Sequence, residues 1–325
     1  EERETIENGS LTACLSGFTD IILNSNTLPV IDSKADVIYV KSKNKNKALK
    51  IHPLGALTLK SEGSEMAELR EMFDSGAVGF YDYKMSVKNP NLLKTALQYV
   101  QHFDGLIMTF PFEKSICEDG QMNEGEISTL YGLKGIPSLS EEIILERDLK
   151  ILEYTGGKLF IPTISTSKSV ELIKNAKQKG LQIITSVSIN NLFFNEKKLK
   201  NFDTRFKVLP PIRSEEDRLI LVKALSEGVI DFCTSDHSPI DIDNKKTDFK
   251  NSLFGATGLE SIFGGLNSLY KTEKVIEILT RKRELFGIKN DAIDLGSKAC
   301  LTLFNPKTKY IFTKNNVRSK SKNAS

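Results

Sequence analysis

Seven short apolar runs, separated by longer stretches of helical periodicity, constrain this chain more than any other feature. They occupy residues 18–23, 49–54, 77–81, 105–109, 158–162, 181–187 and 229–233. Each is continuous rather than alternating, as expected of a strand buried on both faces. Helical patterns lie between them. Residues 65–75 carry Met66, Leu69, Met72 and Phe73 at helical spacing, and 91–103 carry Leu92, Leu93, Ala96, Leu97 and Val100. Residues 141–154, 168–178 and 215–225 follow the same rule, and Gly180 and Gly228 stand where helices should end. Such alternation predicts a parallel sheet with right-handed crossovers. Seven strands are one short of a closed (β/α)8 barrel, and the missing strand is expected before Glu1. An open doubly wound sheet would want a glycine-rich phosphate turn after an early strand, and none follows Leu23 or Leu54.

The carboxyl part differs. After a helix over 275–286, residues 298–304 and 310–312 read as two strands around the turn Asn305-Pro306-Lys307. The expected division is therefore a barrel over 1–296 and a fragment of a small β domain, part of a sandwich-like appendage, over 297–325. Residues 1–7 read as a charged, helix-like opening. Net charge is +3 with both signs well mixed, which gives no footprint for nucleic acid. The basic stretches at 41–50 and 318–322 read as solvated loop and tail. No apolar run reaches membrane-spanning length. Cys14, Cys117, Cys233 and Cys300 are far apart, with no CxxC pair, so reduced thiols in the cytoplasm are expected.

The run from Asp231 through Asp236 and His237 to Pro239 is a buried strand opening into a polar turn that sets an acid beside an imidazole. In a parallel barrel, chemistry is placed at the carboxyl ends of strands. Asp236 is thus a candidate catalytic and metal-binding residue, and the other reading is a buried aspartate capping its own loop. The chain has only three histidines, His52, His102 and His237.

Beyond these patterns the chain resembles the dihydroorotases of the amidohydrolase superfamily from end to end. The resemblance is carried by Gly17-Phe18-Thr19, Asn26-Thr27-Leu28-Pro29 and Gly55-Ala56-Leu57-Thr58, and by the loop from Glu118-Asp119-Gly120 through Asn123-Glu124-Gly125 to Gly135-Ile136-Pro137. Ile164-Ser165-Thr166, Pro210-Pro211-Ile212-Arg213, Ser235-Asp236-His237-Ser238-Pro239 and Gly258-Leu259-Glu260 extend it. The resemblance implies a TIM-type (β/α)8 barrel and the reversible hydrolysis of dihydroorotate to N-carbamoyl-aspartate in pyrimidine biosynthesis. It also implies one or two metal ions, commonly zinc, that activate water and polarise the ring carbonyl. By the same resemblance Asp236 binds metal and shuttles the proton, Asn26 contacts the substrate carboxylate, and His237 lies in the substrate site. Asn26 also reads simply as a turn residue.

The chain departs from the family at the positions that matter for metal. Phe110 and Thr163 stand where histidines are expected, and Ile240 replaces a third. Ile189-Asn190-Asn191-Leu192 occupies a segment that often carries histidines. Where paired aspartates and a glycine are usual, the chain reads Asp82-Tyr83-Lys84, leaving Asp82 as the one acid. Phenylalanine cannot ligate metal, and a neutral hydroxyl is a poor substitute for imidazole on zinc. The family's His-x-His pair and carboxylate-binding arginine would precede Glu1. The expectation is therefore a dihydroorotase-family protein of weak or absent activity. One alternative is an active cyclic amidohydrolase using a His-x-His pair with Asp236. Others are a non-catalytic partner of aspartate carbamoyltransferase, and a small-molecule binder whose mouth is lined by Tyr83, Phe110 and Phe112. A homodimer is expected by analogy with the family.

Overall fold

The computed structural model describes residues 3–44, 48–289, 293–309 and 311–322. Nine strands are found among them: β1 (Asp20–Leu23), β2 (Lys50–Pro53), β3 (Phe80–Tyr81), β4 (Ile107–Met108), β5 (Met122–Asn123), β6 (Gly135–Ile136), β7 (Leu159–Ile161), β8 (Ile183–Ser188) and β9 (Phe232–Thr234). All pairings between them are parallel. β1 pairs with β2, and β3-β4-β7-β8-β9 form a continuous sheet. A bridge from Gly55 to Phe80 connects the two groups, so seven strands follow one another in chain order. All seven apolar runs contain strands, shorter than the runs, with β8 and β9 each ending one residue beyond theirs. β5 and β6 form a separate small pair inside the long segment after β4, and no apolar run announced them.

Local chemistry sets the helix limits. Pro90–Val100 opens with proline in its first turn and with the Asn89 side chain accepting from the Asn91 N–H. Its buried stripe is Leu92, Leu93, Ala96, Leu97 and Val100. Ser214 caps Glu215–Glu227, and Gly228 closes it at φ 80, where a side chain would be strained. The opening helix is Ile6–Leu15, capped by Thr5, and so lies later than the charged segment suggested. The helix expected over 275–286 is Thr272–Thr280, followed by a separate turn Arg283–Phe286, with Lys282 left-handed between them.

The strands expected at 298–304 and 310–312 are not strands among the described residues, and Tyr310 lies outside them. A strand needs a neighbour for its backbone groups. Here the segment leans on the barrel instead: Thr302 donates to the Gly17 carbonyl, and the Phe304 ring lies 4.8 Å from that of Phe263. The basic 318–322 stretch is not simply a solvated tail either. Ser319 and Ser321 are buried, and the Ser321 hydroxyl donates to the Ile240 carbonyl at 2.6 Å.

Buried charges tie the long loops together. The Arg213 guanidinium donates to Ser165, to Asn123 and to the Ile136 carbonyl, while Glu141 accepts from the Ser165 amide and the Ser169 hydroxyl. Two lysines are buried with no carboxylate bonded to them in the described contacts. The Lys207 ammonium donates to Gln121 and to the carbonyls of Phe249 and Lys250, and lies over the Phe254 ring. Lys245 donates to the carbonyls of Lys207 and Leu253. Burial pushes Lys207 down to about 8. Burial, then the charges of Lys207 and Lys84, push Lys245 down to about 7 against the opposing pull of Asp203.

These lysines give stability an unusual pH dependence. Unfolded, both hold their protons to about pH 10; folded, they release them near pH 7 to 8. The unfolded state therefore binds more protons between these limits, and stability should rise with pH across that window. The slope is at most about 1.4 kcal/mol per pH unit for each lysine. Urea unfolding at pH 7, 8 and 9 measures it, and Lys245→Met should flatten the rise.

Candidate functional site

Because every strand pairing is parallel, the strand carboxyl ends open on one side, and the loops that follow build the mouth. β7, β8 and β9 are neighbours, with Ile161 opposite Thr185 and Ser188 opposite Thr234. Thr163, Asn190 and Asp236 each sit two residues beyond a strand of this set. They line a cavity of about 2900 Å³ that reaches Tyr83, Lys84, His237 and Asn26 and extends along the barrel as far as Asp20 and Arg283.

Its wall carries an ion pair. Lys84 Nζ lies 2.9 Å from Asp236 Oδ2, with side chains only 12% and 8% exposed. Both partners have left-handed backbones, Lys84 at φ 53 and Asp236 at φ 45. The Lys84 amide donates to the Tyr81 hydroxyl at 3.0 Å and the Asp236 amide to the Thr234 hydroxyl at 3.2 Å, which holds each turn in place. Tyr83 flanks the ammonium, its ring centre 5.3 Å from Nζ. Burial raises the Asp236 carboxyl above the usual range, and Lys84 opposes that rise. Burial works most strongly against the Lys84 ammonium, but the charges and hydrogen bonds of Asp236 and Tyr83 together outweigh it and raise its pKa. Lys84 was invisible as a site residue from sequence. The signal was a charged side chain at a position where the family resemblance expects glycine, directly beyond a strand end.

Asp82 and His237 are engaged by other groups. Asp82 Oδ1 accepts from the Leu57 and Thr58 amides at 2.9 and 3.0 Å, and Oδ2 accepts from the Thr58 hydroxyl at 2.6 Å. Its carboxylate thus braces the loop after β2, although burial raises its pKa. His237 Nδ1 accepts from the Gly258 amide at 3.3 Å, which leaves the proton on Nε2, facing Glu4 at 3.7 Å. Gly258 is required there, since a Cβ would stand 1.9 Å from the Ser235 carbonyl oxygen. Burial would raise the Glu4 carboxyl, but His237, Ser319 and Asn8 together hold it below the usual range. Asn26 is exposed on its turn at the edge of the cavity.

Phe110 is 1% exposed, with its ring 5.8 Å from Phe112. The Thr163 hydroxyl is buried without a partner, as is the Asn190 amide nitrogen. Ile240 is buried and held by Ser321. His52 pairs with Asp20 at 2.9 Å, at the first residue of β1 and so at the opposite end of the barrel. His102 is exposed in the turn Gln101–Phe103. Among the described residues no group of three or more histidine, cysteine or acidic side chains is placed to hold a metal ion. Asp236, the best donor at the mouth, already faces an ammonium. The described donor set therefore does not fit a metal centre.

Comparison with known proteins places this geometry. The L-hydantoinase (dihydropyrimidinase) from Arthrobacter aurescens superposes with a TM-score of 0.75 at 23% identity, covering 88% of this chain and 67% of that one. Dihydroorotase from Saccharomyces cerevisiae, in complex with 5-fluoroorotic acid, superposes with a TM-score of 0.70 at 14% identity, covering 87% and 80%. The fold is thus the amidohydrolase-type TIM barrel. A family model described as dihydro-orotase-like matches residues 1–169. Dihydroorotases of Thermoanaerobacter sp. and Acetivibrio thermocellus are 36% and 34% identical over 99% and 100% of this chain, covering 77% and 78% of their own lengths. The chain belongs to the dihydroorotase family. No helix among the described residues is long and apolar enough to cross a membrane.

The bracing role assigned to Asp82 can be measured. Asp82→Ala would orphan two buried amides and a hydroxyl, and should cost about 2–3 kcal/mol in urea unfolding. A cost within ~0.5 kcal/mol would mean that those groups find other partners.

Proposed function

We propose that this chain is a dihydroorotase-family protein in which hydrolysis of dihydroorotate is weak or absent, and in which the barrel persists as a framework. The observation that supports this most is the buried Phe110, packed on Phe112 where the resemblance expects an imidazole. A ring with no lone pair at that strand end removes a ligand, and its apolar surface disfavours the charged, hydrated groups that metal chemistry needs. Thr163, the second such position, offers only a hydroxyl. Zinc, the metal implied by the resemblance, is thus poorly matched by the donors on the described strand ends. Any small molecule of the dihydroorotate type would enter at the cavity that reaches Asn26, Asp236 and His237.

An inactive framework would act through contact, and aspartate carbamoyltransferase is the partner the family resemblance suggests. Co-elution of the two purified proteins on size exclusion tests that part, and separate elution at micromolar concentration would remove it. For the reaction itself, both directions should be assayed on the full-length protein with added zinc. Turnover is expected to be at least roughly 100-fold below that of an active family member assayed alongside. Comparable turnover, abolished by Asp236→Asn and by chelation, would establish the active alternative instead.

A further inference from the structure

We propose that the Lys84 ammonium is the resident cation of this mouth, holding Asp236 in the way the family resemblance assigns to a metal ion. Three observations carry the inference. The contact is short and largely removed from solvent, at 2.9 Å between side chains that are 12% and 8% exposed. Both residues reach it from left-handed backbones, at φ 53 and φ 45, a conformation that costs a side-chain-bearing residue and that the surrounding hydrogen bonds sustain. Phe110 and Thr163 at the neighbouring strand ends are uncharged, and the Asp82 carboxylate is turned away to the Leu57–Thr58 amides and the Thr58 hydroxyl.

The contact thus sets one cation against one carboxylate. A divalent ion approaching Asp236 would have to displace the ammonium or stand beside it against like-charge repulsion in a poorly hydrated site. The pair also joins segments 152 residues apart, the turn after β3 and the turn after β9, so it acts as a clamp across the mouth. This goes beyond the reading of weak hydrolysis. A barrel can be inactive without such a clamp, and the test below does not use activity.

The test combines a double-mutant cycle with metal binding on the full-length chain. Lys84→Met and Asp236→Asn should each lower Tm by roughly 5 °C or more, because each strands a buried charge or its partner. The double variant should unfold no lower than the worse single variant, since the interaction is lost only once. Lys84→Arg, which keeps the cation, should stay closer to native than Lys84→Met. Equilibrium dialysis against zinc should give the native protein and Asp236→Asn the same metal content. Additive losses in Tm would overturn the proposal. So would one equivalent of zinc bound by the native protein and lost in Asp236→Asn, a readout that stands even where Lys84→Met fails to fold.

Discussion

Parallel pairing of strands buried on both faces is the constraint from which the rest of this molecule follows. β8 is buried along its whole length between β7 and β9. Its neighbours must run the same way because each is reached by a helical crossover. Once all strands point alike, their carboxyl ends gather on one side, and residues from distant parts of the sequence meet there. Lys84 and Asp236 are neighbours only for this reason. The same rule sends Asp20, His52 and Arg283 to the opposite end, where Asp20 bonds both His52 and Arg283. That histidine is thereby removed from any role at the mouth.

Burying so much polar backbone leaves charges inside, and the chain handles them in two ways. Some are matched by opposite charge, as Asp236 is by Lys84 and Asp231 by Lys177 at 2.7 Å. Others, Lys207 and Lys245, are satisfied by carbonyl oxygens and, for Lys207, aromatic faces. The second arrangement gives hydrogen bonds without neutralisation, which is why these ammonium groups lose protons more readily. Lys84–Asp236, Lys207 and Lys245 join loops that follow different strands, so polar contacts as well as apolar ones tie those loops together.

The framework was legible in the sequence because strand burial writes itself as contiguous apolar runs, and all seven runs contain strands. Family membership was legible through motifs such as Ser235-Asp236-His237-Ser238-Pro239. The carboxyl segment misled because Leu301, Leu303 and Ile311 look like strand residues, and apolar composition does not supply a pairing partner. Leu303 is in fact fully exposed. The β5–β6 pair was hidden because two residues per strand carry no periodicity. At the mouth, the departures from the family pattern expected at Phe110 and Thr163 could be read directly. The Lys84–Asp236 contact could not, because the reach of a lysine across a barrel depends on backbone torsions that local sequence does not fix.

The Lys84–Asp236 contact has a consequence for how this protein depends on its surroundings. A metal ion is held by mass action, so the fraction of sites filled varies with supply. A cation that is part of the chain has no dissociation constant in that sense. It arrives with synthesis at a ratio of one to one, and neither chelators nor scarcity can strip it away. A barrel that once had to be loaded to be complete would here be complete as soon as it folds.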